Sequence, residues 1–262
     1  MDPNNLVSLG NPLPLVGSEP QRPSGGYYMS PKTTRRTYVI RHNSRNKRHE
    51  VDPQTPTFMG FIESLVMGLL LAKDYSVKAF TRVVSSPQPR GTRTAKLIQV
   101  AISLFWSKGD VVTEMTPIET HEGLNDFSSD ERFAALKKAF KVIKGMGAAV
   151  ESEQAIFMAG PDSELEALRV SKLEGAVAVI DGIEDEGDIL VGGLHGATID
   201  GLFAHYATLI DPKVTANGMS VFGRQIDKCE GFVLSYEGDA LKSIRKIERP
   251  AWLNALSALK IG

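Results

Sequence analysis

Thr37-Tyr38-Val39-Ile40 is a β-branched and aromatic run that passes directly into a polar cluster, Arg41-His42-Asn43-Ser44-Arg45. Such a run fits a strand covered on both faces, and strands of that kind belong to parallel sheets whose crossovers are helices. The alternation continues along the chain. Residues 57–73 carry apolar side chains at helical spacing (Phe58, Ile62, Leu65, Leu69). Residues 77–84 can form a second strand, ending at Ser85-Ser86-Pro87. A helix over 91–106 fits Ala95, Leu97, Ile98, Ala101 and Leu104, and 111–115 reads as a third strand. Residues 128–182 read as largely helical. Residues 188–191 are a further strand, running into Gly192-Gly193-Leu194-His195-Gly196, and a helix follows over 198–209. Residues 231–236 and 241–247 pair as a hairpin at the sheet edge across Glu237-Gly238-Asp239. The pattern predicts an α/β fold: a three-layer α/β/α sandwich with a mostly parallel central sheet and a helical insertion near the site.

The first 36 residues read differently. Pro3, Pro12, Pro14, Pro20, Pro23 and Pro31 lie among Asn, Ser and Gly with no helical or strand period. They are expected to be a disordered or loosely docked tail. Residues 37–262 are expected to form a single domain, with the helical insertion at about 125–184. Charge is balanced, 30 Lys+Arg against 31 Asp+Glu, which gives no general attraction to nucleic acid or anionic membrane. Cys229 is the only cysteine, so there is no internal disulfide framework and no cysteine-based zinc cluster. No apolar run reaches the ~20 residues of a membrane span, and the opening Met1-Asp2-Pro3 lacks the pattern of a signal peptide. The expectation is a cytoplasmic protein.

In open α/β sheets ligands bind outside the carboxyl ends of the strands. Arg41, His42 and Arg45 follow the first strand, and Ser85, Ser86 and Arg90 the second. Glu119 follows the third, and His195 follows the fourth among glycines. Arginines in that number point to an anionic, phosphorylated ligand, because the guanidinium fork matches phosphate oxygens.

These segments resemble the histidine phosphatase, or phosphoglycerate mutase-like, superfamily. Arg41-His42 is similar to its Arg-His-Gly motif. Ser85-Ser86-Pro87-Gln88-Pro89-Arg90 with Thr94-Ala95 is similar to its Ser-Ser-Pro-x-x-Arg…Thr-Ala segment. Glu119 with Gly123 four residues on resembles its acid loop. Leu194-His195-Gly196-Ala197-Thr198 resembles its second-histidine segment. The four occur in the family's order over about residues 37–210.

The resemblance implies a phosphomonoester hydrolase working through a covalent phosphohistidine, with no metal and no cofactor required. His42 would be the nucleophile and His195 a second catalytic histidine. Arg41, Arg90, Arg45 and Asn43 would bind phosphate. Glu119 would donate and recover the proton, with Glu122 as a rival. The substrate would be a small phosphorylated metabolite or a phosphopeptide. Asn43 departs from the family's glycine. Thr120-His121-Glu122-Gly123 departs from the mutase pattern Arg-His-Tyr-Gly, which weighs against a phosphoglycerate mutase. The other readings are such a mutase and a catalytically silent phosphate-binding scaffold, for which Asn43 is the sequence support.

Overall fold

The computed structural model describes residues 34–44, 55–107, 114–125, 173–211 and 226–258. Residues 1–33 lie outside the described residues. So do Arg45 and residues 126–172 of the expected insertion.

The described strands are β1 (Thr34–Arg41), β2 (Arg82–Ser85), β3 (Ile118–Thr120), β4 (Gly187–Leu194), β5 (Gly231–Glu237) and β6 (Ala240–Ile247). They form one sheet in the order β3-β2-β4-β1-β5-β6. β1 to β4 run parallel, and β5 is antiparallel to both of its neighbours. The helices are α1 (Phe58–Asp74), α2 (Pro89–Ser107), α3 (residues 173–181), α4 (Gly196–Ile210) and α5 (Ala251–Ala258). A 3₁₀ turn spans Glu122–Leu124.

Side chains alternate across the sheet and divide the core in two, as the strand period requires. Tyr38, Ile40, Val83, Leu190 and Val233 face Met67 and Leu71 of α1 and Ala95, Ile98 and Ile102 of α2. Val39, Val84, Ile189, Val191 and Phe232 face Ala176 and Ile180 of α3 and Ile199, Leu202 and Tyr206 of α4. This is the expected three-layer sandwich with a mostly parallel sheet. Among the described residues no helix is long and apolar enough to cross a membrane.

Several elements differ from the sequence reading. β1 begins at Thr34, three positions before the expected strand. The second strand occupies only Arg82–Ser85, with residues 77–80 outside it. The third strand is Ile118–Thr120; residues 111–113 lie outside the described residues, and 114–117 form no strand. α5 is a helix that the sequence reading does not include; of its first six residues only Leu253 is buried.

The face of α1 is also reversed. Phe58, Ile62, Leu65 and Leu69 keep the helical period, yet Phe58 is 68% and Leu69 43% exposed. The stripe that packs is Met59, Glu63, Ser64, Met67 and Leu71. A pattern search over apolar residues passes over this stripe because Glu63 and Ser64 interrupt it. These two polar residues are buried because they are bonded to the segment that follows β1.

Candidate active site

Arg41 ends β1, and β4 ends one residue before His195. The pairing of the two strands slips by one residue here: Ile40 aligns with Gly192, but Arg41 aligns with Leu194. Gly193 is the extra residue, a β-bulge at φ +76°, a conformation that suits glycine. The His42 N–H then donates to the Leu194 carbonyl at 2.9 Å. The slip brings the two histidines abreast, with ring centres 5.0 Å apart.

His42 is 6% exposed. Its Nδ1 lies 2.7 Å from the Asn43 carbonyl oxygen. A carbonyl only accepts, so Nδ1 carries the proton and Nε2 keeps its lone pair. Burial, with the Arg90 and Arg41 guanidiniums close by, pushes this imidazole well below its ordinary pKa range. The ring is held neutral.

His195 is the N-cap residue of α4. Its Nδ1 lies 2.7 Å from Arg90 Nη2. A guanidinium only donates, so Nδ1 accepts and the proton of the neutral ring sits on Nε2. A neutral His195 is thus set up as a donor at the head of a helix, where the backbone dipole favours an anion.

Arg90 lies in the first turn of α2, whose first residue, Pro89, suits a position where no N–H is needed. Thr94 on the next turn donates to the Arg90 carbonyl at 2.7 Å and accepts from the Asn43 N–H at 3.1 Å. One hydroxyl therefore ties the arginine-bearing helix to the residue after His42. The methyl of Ala95 packs where a Cβ on Gly192 would lie only 3.0 Å away. Ser85 and Ser86 are buried, with Ser86 Oγ donating to the Gly193 carbonyl at 3.3 Å.

Arg41 is 6% exposed and donates through Nη1 to the Ile226 carbonyl at 2.5 Å. The Ile226 N–H donates to Asp200 of α4 at 2.9 Å. Asp200 thus fixes the segment that orients Arg41, a part sequence reasoning missed. The signal was present, since Asp200 lies five residues after His195.

Asn43 is fully buried and has a negative φ, so its position does not require glycine. Its side-chain Nδ2 donates to Ser64 Oγ of α1 at 2.9 Å. The side chain expected to bind phosphate is a buttress against α1. Cys229 packs beside it, with Sγ 3.6 Å from Ser64 Oγ, and burial pushes its thiol pKa far up. It is a small, fully buried residue of the core.

Glu119 is not on a loop beyond the third strand. It lies inside β3, level with Val84, and its carboxylate accepts from Arg82 at 2.8 Å. Arg82 opens β2 and also binds Asp185, which precedes β4. Glu119 is therefore tied toward the amino ends of the strands. Glu122 lies past the end of β3, where the His121 N–H donates to the Ser85 carbonyl at 3.0 Å. Its carboxylate accepts from Asn125 at 3.0 Å, and Asn125 accepts from Gln88, two residues before Arg90, at 3.2 Å.

His42, His195, Arg41 and Arg90 thus form one buried cluster at the carboxyl rim of the sheet. Asn43 supports it from behind, Glu122 is linked to its edge, and Glu119 stands apart. Among the described residues no group of three or more His, Cys, Asp or Glu is placed to hold a metal ion.

No protein-family model matches the sequence, and no curated protein matches it. Solved structures are similar at low identity. One is an Escherichia coli protein described as an α-ribazole-5′-phosphate phosphatase, at 15% identity and TM-score 0.49, over 81% of this chain and 96% of that one. A mycobacterial glucosyl-3-phosphoglycerate phosphatase is similar at 12% identity and TM-score 0.46, over 83% of this chain and 100% of that one. An Entamoeba histolytica phosphoserine phosphatase is similar at 14% identity and TM-score 0.45, over 82% and 98%.

Proposed function

We propose that this chain is a phosphomonoester hydrolase of the histidine phosphatase kind, acting through a phosphohistidine on His42. The observation that carries this reading is the pairing of two neutral imidazoles in complementary tautomers. His42 has its Nδ1 proton held by the Asn43 carbonyl. His195 has its Nδ1 held by Arg90. One ring offers a lone pair, and the other offers a proton donor.

In this mechanism Arg41, Arg90 and His195 hold the three phosphoryl oxygens. They stabilise the charge that spreads over them in the transition state. His42 Nε2 attacks phosphorus in line as the bond to the leaving oxygen breaks. A carboxylic acid protonates the leaving alkoxide. The resulting carboxylate then takes a proton from water, whose oxygen displaces the imidazole and releases phosphate. Glu122 fits the acid role better than Glu119, because its hydrogen-bonded neighbours lead to the turn that carries Arg90. The Asn43 amide donates to Ser64, so this departure from the family's glycine lies behind His42 and is compatible with catalysis. The substrate class is a phosphorylated small molecule or phosphopeptide.

The test is a panel of phosphorylated metabolites and phosphopeptides, with p-nitrophenyl phosphate as a generic substrate. Turnover should survive EDTA and be inhibited by vanadate, whose five-coordinate form resembles the in-line transition state. Loss of all activity in EDTA, restored by a divalent metal, would contradict the reading.

A further inference from the structure

The peptide unit between Asn43 and Ser44 is gripped on both sides. Its carbonyl oxygen accepts from His42 Nδ1 at 2.7 Å. Its N–H donates to Glu63 Oε2 at 2.9 Å. We propose that Glu63 is a positioning residue for the nucleophile, acting on His42 through this peptide as a carboxylate–peptide–imidazole chain. The inference rests on the phosphohistidine reading and adds to it a source of negative charge behind the ring.

The construction of the site supports such a chain. Glu63 is 1% exposed, and a buried carboxylate carries a high desolvation cost unless it is fully bonded. It is fully bonded here: Oε1 accepts from Ser44 Oγ at 3.0 Å and from Arg249 Nη1 at 2.9 Å. α1 lies hard against residue 44. A Cβ on Gly60 would sit 2.1 Å from the Ser44 carbonyl oxygen, and that oxygen accepts from the Thr57 N–H at 3.1 Å. Gly60 thus brings the helix close enough for Glu63, one turn on, to reach the backbone. Arg249 is buried in turn, donating to Asp227 at 2.5 Å through Nη2 and to Glu230 at 3.2 Å through its backbone N–H. The charged groups behind the nucleophile are therefore Glu63, Asp227 and Glu230 with Arg249, while Arg41 and Arg90 lie on the phosphate side.

The chain has a chemical consequence. A peptide whose N–H donates to a carboxylate carries more electron density on its carbonyl oxygen, because linked hydrogen bonds polarise one another. That oxygen then holds the Nδ1 proton more firmly and fixes the ring with Nε2 forward. When Nε2 gives its lone pair to phosphorus, the ring becomes an N-phosphoimidazolium. No proton need travel: Nδ1 keeps its hydrogen, and the new positive charge is met by the carboxylate across the peptide.

Glu63→Gln and Glu63→Asp in the full chain test this. Gln keeps an acceptor for the Ser44 N–H but loses the charge, whereas Asp keeps the charge and shortens the reach. The first readout is the His42 Nδ1–H resonance in histidine-labelled protein, which needs no turnover. It should move upfield in Glu63→Gln. The second is the single-turnover rate of phosphoenzyme formation from p-nitrophenyl phosphate. It should fall about tenfold to a hundredfold in Glu63→Gln, the scale of a charged hydrogen bond, with KM little changed. If Glu63→Gln does not fold, Glu63→Asp decides through the same two readouts. Folded variants whose Nδ1–H resonance and phosphoenzyme rate both match the wild type would overturn the inference. A wild type that forms no phosphoenzyme would instead overturn the functional reading, and the resonance shift would still report on the chain.

Discussion

Gly91 and Gly193 touch backbone to backbone: a Cβ placed on Gly193 would lie 2.1 Å from the Cα of Gly91. The contact seats the first turn of α2 on the bulge of β4, and so seats Arg90 against His195. Gly193 also has φ +76°, which disfavours any side chain. Gly193→Ala combines the clash with the strain and should destabilise the fold by about 3 kcal/mol or more. Urea unfolding measures this. Phosphate or vanadate affinity should fall with it, because Arg90 and His195 are forced apart. A variant as stable as wild type would mean that the bulge does not set the site.

The neutral state of His42 predicts a dependence of stability on pH. Its folded pKa lies well below the ordinary 6.5, chiefly through burial and then through the Arg90 and Arg41 guanidiniums. Below pH 6.5 the unfolded chain therefore binds a proton that the folded chain refuses. The contribution of His42 is complete above 6.5 and is lost as pH falls toward the folded pKa, by up to about 1.4 kcal/mol per pH unit. His42→Asn should flatten the stability profile between pH 6.5 and 5 in urea melts. An unchanged slope would show that His42 titrates normally in the fold.

Much of this site was legible because its chemistry follows strand ends, and strand ends are marked by a change from β-branched to polar residues. Arg41-His42, Ser85-Ser86 and His195 could be placed on one rim on that ground alone. Glu63 and Arg249 could not. Each is a charged residue in the interior, and patterning assigns charge to the surface. Their burial depends on Ser44, Asp227 and Glu230, which only the folded chain brings to them. The same cause reversed the expected face of α1. Glu119 was misplaced for another reason. The strand expected at 111–115 put it on a loop, whereas the strand that pairs with β2 contains it.

The two carboxylates differ enough to be separated by kinetics. Glu119 is tied to Arg82 at 2.8 Å, away from the rim. Glu122→Gln should slow hydrolysis of alkyl phosphates by about a hundredfold or more, the usual range for a general acid. It should leave the burst of p-nitrophenol far less affected, since that leaving group needs little proton help. Glu119→Gln should cost little activity. Its half-exposed ion pair contributes under about 1 kcal/mol to stability. The reverse pattern would return the acid role to Glu119 and leave the nucleophile unchanged.

The central claim is that phosphorus becomes bonded to His42 Nε2. Rapid-quench mass spectrometry during turnover of p-nitrophenyl phosphate measures this directly. The account predicts a phosphorylated peptide containing His42, labile in acid and stable in alkali, formed at least as fast as turnover and absent from His42→Ala. A His42→Ala variant that keeps near-wild-type turnover, or an active wild type with no phosphate on His42 at any quench time, would contradict it.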